Sequence, residues 1–139
     1  MLVVPDQFEG EVFLLADASR GVQWIGGPLE VPASGVLLIS NLDSLAAIRP
    51  DAFDARYSSG KRIENRNRGG DYDRVGLWPV SSHEDKNRLT EMIYFVVGTF
   101  DAKTTFENDR MKDWPRAIAL LRAGKRLNQI SEVNGQVNK

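Results

Sequence analysis

The chain has no cysteine and only one histidine, His83, among 139 residues. Without thiols it can hold neither a disulfide framework nor a thiolate metal site, which agrees with a reducing compartment. Long apolar runs are missing too. The longest, Met92–Val97, falls far short of the roughly 18 residues that a membrane-spanning helix needs. The first residues, MLVVPDQFEGE, carry no basic stretch and no apolar stretch of signal-peptide length ahead of their acids. No signal peptide is expected, and a soluble, cytoplasmic protein is. Neither Gly26-Gly27 nor Gly69-Gly70 continues into a phosphate-binding loop. A chain of this length predicts one domain, residues 1–139, able to bury about two thirds of its unfolded surface.

Charge is present in blocks. The net charge of −1 divides into −6 over residues 1–54, +3 over 55–74, −3 over 75–109 and +5 over 110–139. Such blocks can neutralise one another within a fold or between copies, or turn a basic face to nucleic acid.

The N-terminal 40 residues read as β-structure. Glu11–Ala16 and Gly21–Ile25 are short and β-rich and flank Asp17-Ala-Ser-Arg, which predicts a hairpin. Leu29–Val31 alternates, Pro32-Ala-Ser-Gly35 suits a turn, and Val36–Ser40 suits a buried strand. Asn41 is placed to cap a short helix over Leu42–Ile48, and Pro50 to open another helical turn, PDAFDA. Arg74–Val80 reads as a returning strand, which Pro79 assigns to an edge or an end.

Over Ser82–Phe100, the residues Leu89, Met92, Ile93, Val96, Val97 and Phe100 fall on one helical stripe. Ser82 and Asp85 resemble an N-terminal cap, and a helix is the preferred reading. A buried strand over Met92–Phe100 fits the same residues, because β-branched and aromatic side chains suit it. Asp101–Thr105 reads as a polar turn. Asp113-Trp114-Pro115 opens a final helix with Trp114, Ala117, Ile118 and Leu121 on its stripe and Gly124 at its end. The expected class is α+β: an N-terminal antiparallel β-meander and a later strand, packed on one face by two C-terminal helices. The tail, residues 128–139, is polar.

Between Tyr57 and Tyr72 the only aliphatic residue is Ile63. The stretch reads as a basic loop or hairpin arm, about residues 56–74, that a partner would order. It carries Arg56, Lys61, Arg62, Arg66, Arg68 and Arg74 with Tyr57 and Tyr72, a mixture able to touch phosphates and stack on bases. Arg116, Arg122, Lys125 and Arg126 add a second basic group around the last helix. These twelve residues are the candidate contacts to a partner or to nucleic acid.

Catalytic patterns are thin. His83 beside Glu84 and Asp85 has no spacing that supplies a partner, so it reads as a surface residue. Pro50-Asp51 with Glu84-Asp85-Lys86 imitates a metal-dependent nuclease motif, but the preferred helix puts the second half in the wrong setting. Asp71 and Asp73 lack the remaining ligands of a calcium loop. No catalytic residue, metal or cofactor is assigned. The expectation is a non-enzymatic assembly subunit, in a homo-oligomer or with other subunits, of the connector, neck or tail type found in virus particles. A nucleic-acid-binding protein and a small inhibitor or immunity-type protein are the alternatives.

Overall fold

The computed structural model describes residues 1–49, 52–108 and 114–125. Among these residues the protein is α+β, with eight strands in two four-stranded sheets and three α-helices. The strands are β1 (Leu2–Val4), β2 (Gly10–Ala16), β3 (Leu29–Glu30), β4 (Val36–Ile39), β5 (Ala55–Tyr57), β6 (Arg62–Ile63), β7 (Gly76–Glu84) and β8 (Thr90–Gly98). The helices are α1 (Leu42–Ala46), α2 (Phe100–Asn108) and α3 (Trp114–Arg122). Sheet A has the order β3-β1-β5-β6 and sheet B the order β4-β2-β8-β7. An isolated bridge between Asn65 and Leu77 joins the two at the β6 and β7 edges.

The N-terminal strands do not form a meander. β1 pairs in parallel with β3 and with β5, and β2 in parallel with β4, while β8 lies antiparallel to β2. From β1 to β5, successive strands therefore alternate between the sheets. The Asp17–Arg20 turn exists, with Asp17 Oδ1 accepting from the backbone N–H of Ser19 and Arg20. It does not return the chain onto β2. Val22 instead bridges in parallel to Ile39, the last residue of β4, and Ile25 is 86% exposed. The turn before β4 is as expected: Gly35 takes a positive φ of 81° and donates to the Pro32 carbonyl. A side chain there would also run into the Glu11 carbonyl.

The helix expected over Ser82–Phe100 is a hairpin of β7 and β8. Met92, Tyr94 and Val96 face α3 across one side of sheet B, and Phe95 and Val97 face sheet A on the other. A strand covered on both faces reads as a continuous apolar run, as a buried helix does. Leu89, at the start of the supposed stripe, is 52% exposed. The turn is made by Asp85, whose Oδ1 accepts from Asn87 and Leu89, and by Arg88 at a φ of 63°. β7 is the edge strand that Pro79 foretold, with a register shift between Pro79 and Ser81.

Two apolar layers result. Leu2, Val4, Val12, Leu14, Ile39, Phe53, Ile63 and Phe95 belong to the layer between the sheets, which Leu42 and Leu45 of α1 also join. Phe13, Leu15, Trp78, Met92, Tyr94 and Val96 form the outer layer, closed by Ala117, Ile118 and Leu121 of α3. Asn41 does not cap α1 with its side chain. It accepts from the Trp24 backbone N–H and donates to the Trp24 carbonyl, pinning the strand-free connection. The polar turn expected at Asp101–Thr105 is the first part of α2, where Thr99 Oγ1 accepts from the Ala102 N–H. The expected cap Asp113, residues 50 and 51 of the PDAFDA turn, and the tail lie outside the described residues.

The basic segment is folded onto its own body. Ile63, Asn65 and Arg66 are buried, at 2%, 3% and 4% exposure. Asn65 donates to the Phe53 carbonyl, and its Oδ1 accepts from Asn67 to start a 3-10 turn over Arg66–Arg68. The sequence hides this because the space for Arg66 is made by distant glycines. A side chain at Gly70 or Gly76 would overlap the arginine.

Candidate functional site

Five of the twelve candidate residues converge. Tyr57, Lys61, Arg62, Arg66 and Arg74 line an open cleft of about 1060 Å³ between the β1–β2 loop, the β5–β6 hairpin and the Asp71–Val75 stretch. The cleft is not basic. Asp6, Glu9, Glu64, Asp71 and Asp73 line it as well. Arg66 Nη1 lies 3.1 Å from Glu64 Oε2, and Arg74 Nε lies 3.6 Å from Asp71 Oδ2. The Tyr57 hydroxyl donates to the Phe8 carbonyl, and burial, then the nearby Glu9 charge, raises its pKa above the usual 10.0.

Arg66 is a structural residue. Its Nη2 donates to the carbonyls of Arg74 and Val75, closing the connection into β7, while its Nε is buried with no hydrogen-bond partner. Arg68, outside the cleft, donates to Asp54 and to the Phe53 carbonyl. Arg56 donates to the neighbouring Tyr57 carbonyl. Arg116 and Arg122 lie on α3, and Lys125 just beyond it; Arg126 lies outside the described residues. α3 covers the outer face of sheet B.

Arg122 joins a small polar cluster. Its Nη1 is 3.9 Å from Glu91, which also lies 3.6 Å from His83 Nε2, and its carbonyl accepts from Arg20. His83 thus sits on an edge strand and not at a helix start. Asp51, the first half of the nuclease-like pattern, lies outside the described residues; Asp85, in the other half, is occupied by the hairpin turn. Among the described residues no group of three or more metal-ligating side chains occurs. No described helix is long and apolar enough to cross a membrane.

Tyr72 belongs elsewhere. It sits in a tight turn in which Arg74 donates to the Asp71 carbonyl and Asp73 to the Asp71 side chain. Its ring stacks on Phe100 at 5.6 Å and 10°, and meets Trp78 edge-on at 5.1 Å. Tyr72 and Phe100 are 48% and 42% exposed, whereas Trp78 is buried beneath them with its indole N–H on the Gly98 carbonyl. Lys103 Nζ lies 5.6 Å from the Trp78 ring and 5.7 Å from the Phe100 ring. Phe100 donates its backbone N–H to the Tyr72 carbonyl, so two remote segments are locked into one patch.

Sequence reasoning found Tyr72 and missed Trp78, Phe100 and Lys103. The legible signal was Phe100 with Lys103 three residues later, a spacing that puts a cation over a ring at a helix start. Their union with Tyr72 depends on the β7–β8 pairing.

No protein-family model matches the chain, and no curated protein matches it. A crystal structure at 2.75 Å of a Bacillus anthracis protein, provisionally named a lipoprotein, is similar to it. The two share 12% identity over 94% of this chain and 92% of the other, with a TM-score of 0.43.

Proposed function

We propose that the protein is a non-enzymatic contact subunit that associates with copies of itself, as part of a larger assembly, through the Tyr72–Phe100 patch. The observation that carries this reading is the exposed, stacked aromatic pair resting on a buried tryptophan with Lys103 alongside. Aromatic side chains bring large contact area at low rotamer cost and are enriched at the centres of protein interfaces. The Asp71–Arg74 turn and the Phe100–Tyr72 backbone bond hold the rings in place before any partner arrives, which lowers the ordering cost of binding.

This reading keeps Tyr72 of the basic segment and moves the contact away from its charged side chains, several of which pair within the chain. Binding to nucleic acid is the less favoured reading. The bases of the cleft are interspersed with carboxylates. The cysteine-free composition supports placing the assembly in the cytoplasm or in a particle made there. Light scattering on the eluting protein, at low and high salt, tests the reading. A multiple of the chain mass that persists in high salt supports an aromatic contact. A strict monomer under both conditions, at every concentration, removes it.

A further inference from the structure

Sheet B ends on an open edge. β7 pairs with β8 along its length, but its other side is occupied, among the described residues, only by the Asn65 bridge at Leu77. Pro79 and the adjacent register shift blunt the middle of the strand. From Ser81 to His83 the strand runs on, up to a second register shift before Glu84, and alternate residues turn their N–H and C=O groups outward. Edge strands exposed in this way pair with another extended backbone unless they are covered.

A cavity of about 450 Å³ opens beside this edge. Ile48, Phe53, Pro79, Ile93 and Phe95 give it an apolar wall. Among its described lining the one charged residue is Glu84, which is exposed and makes no ion pair among the described residues. Ser82 and Glu84 both line the cavity, with a second register shift between His83 and Glu84.

We propose that this edge binds an extended peptide segment as a fifth strand of sheet B. The incoming strand places an apolar side chain in the cavity and a basic side chain, two positions along, against Glu84. Backbone pairing supplies the affinity, and the cavity with its single carboxylate supplies the selection, the division of labour seen wherever a peptide is added to a sheet. Charge complementarity selects the occupant: a basic side chain is attracted to Glu84 and an acidic one is repelled. The proposal deepens the contact-subunit reading by naming a second surface and the chemistry of the segment it takes.

The test uses the whole chain, isotopically labelled, titrated with capped peptides of alternating threonine that carry one apolar residue followed two positions later by lysine. The apolar residue is varied through valine, leucine, isoleucine, methionine and phenylalanine. Amide resonances of Ser81–Glu84 are expected to shift with at least one of them. Glu84→Lys is expected to weaken that peptide about tenfold and to favour the glutamate-bearing counterpart. Backbone N-methylation at alternate peptide residues is expected to abolish the shifts. Ile48→Arg, which fills the cavity from a half-buried position, gives a second check with the edge left intact. No shift at Ser81–Glu84 with any of these peptides, or binding indifferent to Glu84→Lys, overturns the proposal. A wild-type monomer that still binds the peptide overturns the Tyr72–Phe100 reading alone, and an oligomer that ignores every peptide overturns the edge site alone.

Discussion

Arg66 lies in a slot that exists because residue 76 has no side chain: a Cβ at Gly76 would overlap its Nε, Cγ and Cδ. The guanidinium then ties Glu64 to the carbonyls of Arg74 and Val75, and so fixes the path from sheet A into β7. Gly76→Ala should destabilise by about 1–3 kcal/mol, the usual cost of overpacking. Arg66→Ala should cost a similar amount, since it strands two carbonyls. In the double variant the alanine at 76 should cost much less than it does alone. Urea midpoints of the four proteins check this, and strict additivity would show that the two residues do not share the slot.

Asn41 is expected to matter through Trp24 and not through α1. Asn41→Ala removes one accepted and one donated bond to the Trp24 backbone and should cost about 1–2 kcal/mol. Trp24 fluorescence should shift toward the solvent value, with the α1 amides exchanging as before. Faster exchange confined to α1 would restore the capping role.

Ile118 is 1% exposed in the layer that α3 closes over sheet B. Ile118→Ala should cost about 2–5 kcal/mol, as large-to-small changes in a core do. Thermal unfolding measures the loss, and a change under about 1 kcal/mol would mean that α3 is not seated as described.

Asp17 gives the acid limb a defined position. The backbone N–H of Arg20, helped by the Arg20 and Ser19 side chains, lowers its pKa from 3.8 to about 2. A depressed carboxylate pKa stabilises the fold fully above the unfolded value, and that contribution fades as pH falls through the folded one. Stability should therefore drop between pH values near 3.8 and 2. Asp17→Asn should flatten that part of the profile, as followed by circular dichroism. An unchanged acid limb would contradict the assignment.

Much of the local structure was legible where one short-range rule decides it. The Pro32–Gly35 turn, β4, the start of α1, the stripe of α3 and the edge position of Pro79 all follow from neighbours in the sequence. β8 was not, because a strand covered by α3 on one side and sheet A on the other has no polar face to betray its period. The parallel pairing of β1 with β5 and of β2 with β4 leaves no local trace either. Arg66 looked like part of a solvated arm for the same reason: its burial depends on Gly70 and Gly76, and Gly76 lies ten residues away. Tyr72 was singled out from its own segment, but the patch became visible only when β7 delivered Trp78 and the end of β8 delivered Phe100.

The most direct measurement is sedimentation velocity on the wild-type chain and on a Tyr72→Ser, Phe100→Ser variant, across a wide range of concentration. Both rings are half exposed, so the variant should stay folded with an unfolding midpoint close to that of the wild type. The account predicts a wild-type protein that sediments as an oligomer and a variant that sediments as a monomer. A folded variant that associates as the wild type does would contradict it.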